Sequence, residues 1–318
     1  MIHMLLSLWI VCALFIIREQ KVTRIIIYFC AFSLITSACF LMLGAPDVAM
    51  AEGAVGAFMA IFFIICFEKY CSEFSPKTSD GVTDAAAKKK PRNFKRYIFP
   101  LVFTGFLFGL FVYFIPDGEV NTYLKFQYLE MFAHDVGGKN AVTAIYLGYR
   151  IYDTLFEALM LLVGVMAVVH VSWSDEPRTR RRRRSPLRKS DKAIFVMHII
   201  CPMILVFGLY LVLQGFLSPG GGFKGGVLIA SFFVCIHIVG DIYDTPVVKL
   251  VFIEKLIFVN IILVATVVVF WDLKDLLSIA HVPIFQNIYL IMMNTLIAAK
   301  VTCGFVILFY RYIVIERR

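Results

Sequence analysis

Long apolar stretches separated by short polar segments dominate this chain of 318 residues. Each stretch is close to the roughly 20 residues that an α-helix needs to cross a bilayer. The pattern predicts an all-α, polytopic integral membrane protein of about nine transmembrane helices. The nine stretches are 2–17, 25–43, 48–67, 97–115, 152–171, 194–215, 226–243, 250–270 and 288–310.

The distribution of Lys and Arg between these stretches predicts the orientation of the chain. The segments after stretches one, three and five and the C-terminal tail are rich in basic residues, whereas those after stretches two, four and six are acidic, mixed or glycine-rich. Because short cytoplasmic loops carry the excess of basic residues, the N-terminus is predicted outside and the C-terminus in the cytoplasm. The first stretch follows no positive charge, so we expect a retained helix and not a cleaved signal peptide.

Two polar segments, 74–96 and 174–191, have the composition of linkers, since they are rich in charged residues, Ser and Pro. They divide the chain into three modules at 1–73, 97–173 and 192–318, with three, two and four predicted helices. Both linkers are predicted to lie in the cytoplasm, and the second is strongly basic.

Composition narrows the possible functions. Hydrophobic residues make up 60% of the chain and charged residues only 17%, below the roughly 25% that is usual in soluble domains. The net charge of +9 lies in loops and not along a surface stripe, so we expect contacts with membrane lipids and none with nucleic acid. Most cysteines lie inside apolar stretches and the histidines are scattered, so neither a metal site nor a cofactor is predicted.

The start of the third stretch carries two carboxylates. Pro46 suits the first turn of a helix, and Asp47 lies near the positive end of the helix dipole, which is sufficient to explain an acid at that position. Glu52 lies about 7 Å deeper, at 1.5 Å per residue, where an ionised carboxylate needs a partner or water. This depth favours a functional role for Glu52.

The fifth stretch begins with a cation and two acids on one helical face. Arg150, Asp153 and Glu157 are spaced i, i+3 and i+7. Arg150 and Asp153 form either a structural pair or part of a site. Glu157 lies about one turn deeper, which favours a group that exchanges a proton or binds a cation.

A glycine-rich run, Ser218–Gly226, separates the sixth and seventh stretches. Such a run supplies free amides and tight turns that can line a cavity inside a membrane protein, although a plain turn is the alternative. The spacing of a phosphate-binding loop is absent. The predicted lining residues are Pro219, Gly220, Gly221, Gly222, Phe223 and Lys224.

The predicted orientation places these three groups of polar residues near the outer face of the membrane. Lys300 lies deeper, midway along the last stretch, and Glu254 and Lys255 lie about one turn inside the eighth. Charged groups at such depths mark ion pathways more often than surface charges do. Together the residues predict a discontinuous ion route that leads inward from the outside.

Three motifs resemble modules of one known system, in the same order along the chain. Residues 46–56 resemble the PDVAxxE motif of the MbhD-type module. Residues 137–142 and 149–157 resemble the GGxNxV and FRxxDTxxE signatures of the MbhE-type module. Residues 219–226 resemble the PGGGFxGG loop of the MnhB or MrpB type, although Lys224 stands where the resemblance implies a neutral residue.

These modules occur in Mrp-type multi-subunit Na⁺/H⁺ antiporters and in the membrane arms of related hydrogenases. The resemblance implies a non-catalytic subunit of a complex in a bacterial or archaeal inner membrane, with Glu52 and Glu157 at ion-path positions. Na⁺, H⁺, the large antiporter-like subunits and small membrane subunits are the implied partners. The alternatives are an ion-translocating arm of a hydrogenase-type oxidoreductase and a purely structural scaffold, and no redox centre is expected here in either case.

Overall fold

A computed structural model describes residues 2–71, 95–113, 122–171, 191–240, 247–270 and 283–313. Within these ranges the chain forms helices and no strands, which confirms the all-α prediction. The α-helices are α1 (Ile2–Arg18), α2 (Val22–Met42), α3 (Pro46–Cys71), α4 (Lys95–Tyr113), α5 (Thr122–Glu130), α6 (Phe132–Asp135), α7 (Ala141–Ala144), α8 (Ile151–Val171), α9 (Asp191–Gln214), α10 (Gly222–Gly240), α11 (Val247–Phe270) and α12 (Pro283–Ile313), and a π-helical segment, Ile145–Tyr149, joins α7 to α8.

Nine helices of the described ranges have at least 17 residues, and they occur where the nine spans were predicted. Six of them contain stretches long and apolar enough to cross a membrane, and α1 and the Gly222–His237 part of α10 are shorter apolar helices. These observations confirm a polytopic membrane protein. The exact number of spans and the N-out orientation stay predictions, and the predicted linkers lie outside the described residues except for their last residues, which begin α4 and α9.

Helices α10 and α12 form the centre of the fold. Helix α10 packs against α9, α12 and α3, and α12 also contacts α8, α9 and α11. Three side chains of α12, Leu290, Met293 and Val301, belong to the main buried core. The third predicted module is therefore the body against which helices of the other two modules pack.

Helices α2 and α3 pack closely because a glycine faces a serine. A Cβ atom at Gly56 would lie 1.9 Å from the hydroxyl oxygen of Ser33. One turn further along α2, the Ser37 hydroxyl donates to the carbonyl of Ala49 at 2.6 Å. Helix α1 contacts α2 on its other side, so α1–α3 form one antiparallel unit.

Candidate functional site

The glycine-rich run ends α9 and begins α10. Gly221 has a φ of +129°, a conformation that favours glycine, and its N–H donates to the carbonyl of Leu211. Helix α10 already begins at Gly222, so the second half of the predicted loop is helical. The reason is close packing, since a Cβ atom at Gly222 or Gly226 would lie within 2.8 Å of backbone carbonyl oxygens of α12.

Asp47 binds the turn from the start of α3. Its Oδ1 atom accepts a hydrogen bond from the N–H of Gly220 at 3.1 Å and a second from the ammonium group of Lys224. The side chains of Asp47 and Lys224 are each about 10% exposed. This buried ion pair joins the first predicted module to the third, whereas Pro219 is exposed beside it.

The segment before α8 binds the same turn from the other side. The Asn140 side chain donates to the carbonyls of Gly215 and Ser218 at 3.0 and 2.9 Å, and the Thr143 hydroxyl donates to Gly215 at 2.6 Å. The backbone N–H groups of Lys139 and Asn140 donate to the carbonyl of Phe216. These bonds satisfy carbonyl groups that the end of a helix leaves without partners.

Asn294 of α12 supplies the third contact. Its Oδ1 atom accepts hydrogen bonds from the N–H of Gly222 at 3.1 Å and from the hydroxyl of Tyr146 at 2.8 Å. Tyr146 lies in the π-helical segment, whose open carbonyls are satisfied by side chains: Thr154 donates to Tyr146 at 2.5 Å, and Tyr289 donates to Leu147 at 2.7 Å. Side chains from all three predicted modules thus fix the turn.

A cavity of about 270 Å³ lies beside this turn. Its volume is enough for several water molecules. Two carboxylates and one ammonium group face it, so its charge is −1 when all three are ionised. The polar lining residues are Asp47, Tyr146, Thr154, Glu157 and Lys224, and the remaining lining residues are Val48, Ala51, Val142, Gly221, Gly222, Phe223 and Ile297.

The acids of α8 occupy two different environments. Arg150 and Asp153 form an ion pair in which both side chains are more than half exposed, and neither lines the cavity. Glu157 does line the cavity, is exposed, and has no hydrogen-bond or ion-pair partner among the described residues. Glu157 is thus the carboxylate of this face that is available to bind an ion.

Glu52 lies on the opposite side of α3. Its Oε1 atom accepts a hydrogen bond from the Ser33 hydroxyl at 2.9 Å, and the same hydroxyl also lies 3.2 Å from the Glu52 carbonyl oxygen. Glu52 does not line the cavity that Asp47 reaches. The structure therefore brings Asp47 and Glu157 to one cavity and places Glu52 between α2 and α3.

Lys300 is fully buried just past the midpoint of α12. Its ammonium group is paired with the carboxylate of Glu254 on α11, and the two side chains are 1% and 0% exposed. Lys255, next to Glu254, is exposed. Within the described ranges, no group of three or more His, Cys, Asp and Glu side chains is arranged to hold a metal ion, and the expectation of no metal stays a prediction.

Two parts of the chain match known families. Residues 193–307 match a domain described as related to the MnhB subunit of Na⁺/H⁺ antiporter, and residues 7–70 match the MbhD component of MBH. The chain belongs to the MnhB and MbhD families. The MbhD-family domain contains Asp47 and Glu52, and the MnhB-family domain contains the turn, Lys224 and Lys300. The MbhE-type assignment of the middle module stays a prediction.

Individual proteins give a consistent result. An uncharacterized protein of Methanocaldococcus jannaschii is 33% identical over 111 residues, which are 30% of this chain and 42% of that protein. The Mrp complex from Dietzia sp. DQ12-45-1b contains a chain that matches 95% of this chain over 34% of its own length, with a TM-score of 0.63 and 18% identity.

A second solved structure shares the fold. The membrane-bound sulfane sulfur reductase, an archaeal respiratory membrane complex, contains a chain that matches 69% of this chain over 97% of its own length, with a TM-score of 0.55 and 23% identity. At these identities both structural matches show a common fold. This architecture therefore occurs in membrane complexes of two kinds.

Proposed function

We propose that the chain is a non-catalytic subunit of an Mrp-type antiporter complex that exchanges Na⁺ for H⁺ across a bacterial or archaeal inner membrane. The MnhB-family domain, whose description refers to a Na⁺/H⁺ antiporter, supports this proposal. The fold likeness to a chain of the Dietzia Mrp complex supports it as well. In this complex the chain packs against the large antiporter-like subunits and contributes part of the cation path.

The cavity between α3, α8 and α10 is the proposed cation site, and its charge is the observation that carries the proposal. Asp47, Glu157 and Lys224 together leave one negative charge, which one proton or one monovalent cation neutralises. Lys224 already neutralises Asp47, so Glu157 is the group that alternates between a proton and a cation. Water in the cavity and the Tyr146 hydroxyl supply further oxygen ligands.

Ion exchange in membrane vesicles that contain the whole complex tests this role. Glu157→Gln keeps the size of the side chain and removes its charge, and we expect at least a tenfold loss of Na⁺-driven proton movement with the complex still assembled. The matched control is Glu130→Gln at an exposed carboxylate on α5 that lies outside the cavity. Exchange within twofold of the wild type in the Glu157→Gln complex would overturn the proposed role of Glu157.

A second candidate is a subunit of an ion-translocating respiratory or hydrogenase-type complex. It is favoured by the match to nearly the whole of a chain in the archaeal sulfane sulfur reductase complex. Mass spectrometry of the proteins that co-purify from native membranes distinguishes the two. Antiporter-like subunits without iron–sulfur proteins favour the antiporter, whereas hydrogenase-like or iron–sulfur subunits in stoichiometric amounts favour the second candidate.

A further inference from the structure

The Lys300–Glu254 pair is costly to bury. Both side chains are almost completely inaccessible, and they lie on two apolar helices that pack against each other. Taking two charges out of water costs several kcal/mol per ion, so such a pair contributes less to stability than apolar side chains of similar volume often do. Holding α11 against α12 is therefore a weak reason for these two residues.

The pair is also incompletely satisfied. Only one carboxylate oxygen of Glu254 accepts a hydrogen bond, and the other, Oε2, is buried without a partner among the described residues. The ammonium group of Lys300 lies 5.2 Å from the centre of the Phe258 ring, which is a weak substitute for a second acceptor. A buried carboxylate with one free oxygen is able to accept a proton.

A small void connects Lys300 with Glu157. The void has a volume of about 20 Å³, which is sufficient for one water molecule. Thr154, Glu157 and Lys300 supply the polar groups that such a water needs. The other lining residues are Ala158, Leu161, Phe223, Ile297 and Val301.

Glu157 lies between this void and the larger outer cavity. Thr154, Glu157, Phe223 and Ile297 line both spaces. Along α12, the distance from Asn294, which contacts the turn, to Lys300 is about 9 Å at 1.5 Å per residue. The groups from outer cavity to Glu254 thus follow one another inward.

We propose that Lys300 passes protons between Glu157 and Glu254 through one water molecule held in this void, an inference that rests on the proposed function. In one step the Lys300 ammonium gives a proton to the Glu254 carboxylate, which leaves a neutral amine and a carboxylic acid. In the next step protonated Glu157 gives a proton to the water, which passes one to the amine. Glu157 is then a carboxylate that is able to bind a cation.

The titratable groups around Lys300 are few within the described ranges. Glu254 faces it from α11 and Glu157 from α8. Cys303, on α12 itself, is close enough to interact electrostatically with both members of the pair. The residue that faces the void from α10 is Phe223, which does not titrate. Protons that reach Lys300 from the cavity side therefore pass through Glu157.

Lys300→Arg in the assembled complex separates this role from a structural one. Arginine keeps the positive charge and the pairing with Glu254, but it does not give up its proton in proteins. We expect at least a tenfold loss of ion exchange in vesicles, with normal amounts of assembled complex. The matched control is Lys249→Arg, at an exposed lysine of the same helix as Glu254. Exchange within twofold of the wild type in Lys300→Arg would overturn the inference.

Ala158→Val provides a test that changes no charge. It fills the void beside Glu157 and Lys300, so the same tenfold loss is expected if a water molecule carries the proton, and this variant also replaces Lys300→Arg should the latter not assemble. Glu157→Gln distinguishes the two proposals. Loss of exchange in Glu157→Gln with full exchange in both other variants overturns the inference alone, whereas full exchange in Glu157→Gln overturns the proposed function as well.

Discussion

Breaking the Asp47–Lys224 pair is expected to destabilise the protein far more than removing both of its charges. Asp47→Asn leaves the Lys224 ammonium about 90% buried without its counter-ion. Loss of one member of a buried pair costs about 3–5 kcal/mol in the free energy of unfolding. The neutral double variant Asp47→Asn/Lys224→Met retains an oxygen for the N–H of Gly220 and leaves no charge unpaired, so its cost is expected to be below about 2 kcal/mol.

A titration with denaturing detergent measures these free energies in the purified protein. Cys12, Cys39, Cys201 and Cys235 are buried in the folded state, so their reaction with a thiol-specific dye reports unfolding. The control is the double variant of the exposed Arg150–Asp153 pair to alanine, for which a change below about 1 kcal/mol is expected. Costs of the two single changes that add up to that of the double variant within about 0.5 kcal/mol would refute the reasoning, because they would show no coupling between Asp47 and Lys224.

Three further changes can be measured by the same titration. Gly56→Ala places a methyl group against the serine of α2 and is expected to cost about 1–3 kcal/mol, whereas Gly164→Ala meets no atom within 4 Å and is expected to gain up to about 1 kcal/mol; equal effects would refute the close contact. Asn140→Ala removes the donor to two carbonyls at the end of α9 and is expected to cost about 1–3 kcal/mol, whereas Asn260→Ala, at an exposed residue that bonds only within its own helix, is expected to change stability by less than about 0.5 kcal/mol. Tyr289→Phe removes one bond to the π-helical segment and is expected to cost about 0.5–1.5 kcal/mol, and an unchanged free energy would show that this bond is dispensable.

Hydropathy was sufficient to predict the long helices because each crossing imposes its own length and composition. The start of α10 was predicted four residues too late. Glycines usually mark loops, but here Gly222 and Gly226 are needed for the close approach of α12, and the helix begins among them. A local pattern does not distinguish these two uses of glycine.

The sequence identified most of the charged residues of the site but not their pairing. Asp47 had a sufficient explanation as a helix-start acid, and its partner Lys224 is 177 residues away, so only the packing of α3 against α10 brings the two together. Glu254 and Lys300 were both singled out by depth, yet their contact depends on how α11 lies against α12.

Two polar residues of the site were missed by the sequence analysis. Asn294 lies inside a long apolar stretch, where an amide is expensive without partners, and this signal was available. Asn140 lies in a polar segment where its role depends on the end of α9, 75 residues further along the chain. Cross-module hydrogen bonds of this kind leave no local pattern in the sequence.

The distance in sequence between Asp47 and Lys224 has a consequence for biosynthesis. At about 5–20 residues per second, a ribosome adds the 177 residues between them in about 9 to 35 s. During that interval helix α3 is complete while the counter-ion of its carboxylate has not yet been made. Because Asp47 lies in the first turn of α3, it can wait in the hydrated headgroup region until α10 emerges, whereas the same acid two turns deeper would have to enter the hydrocarbon alone.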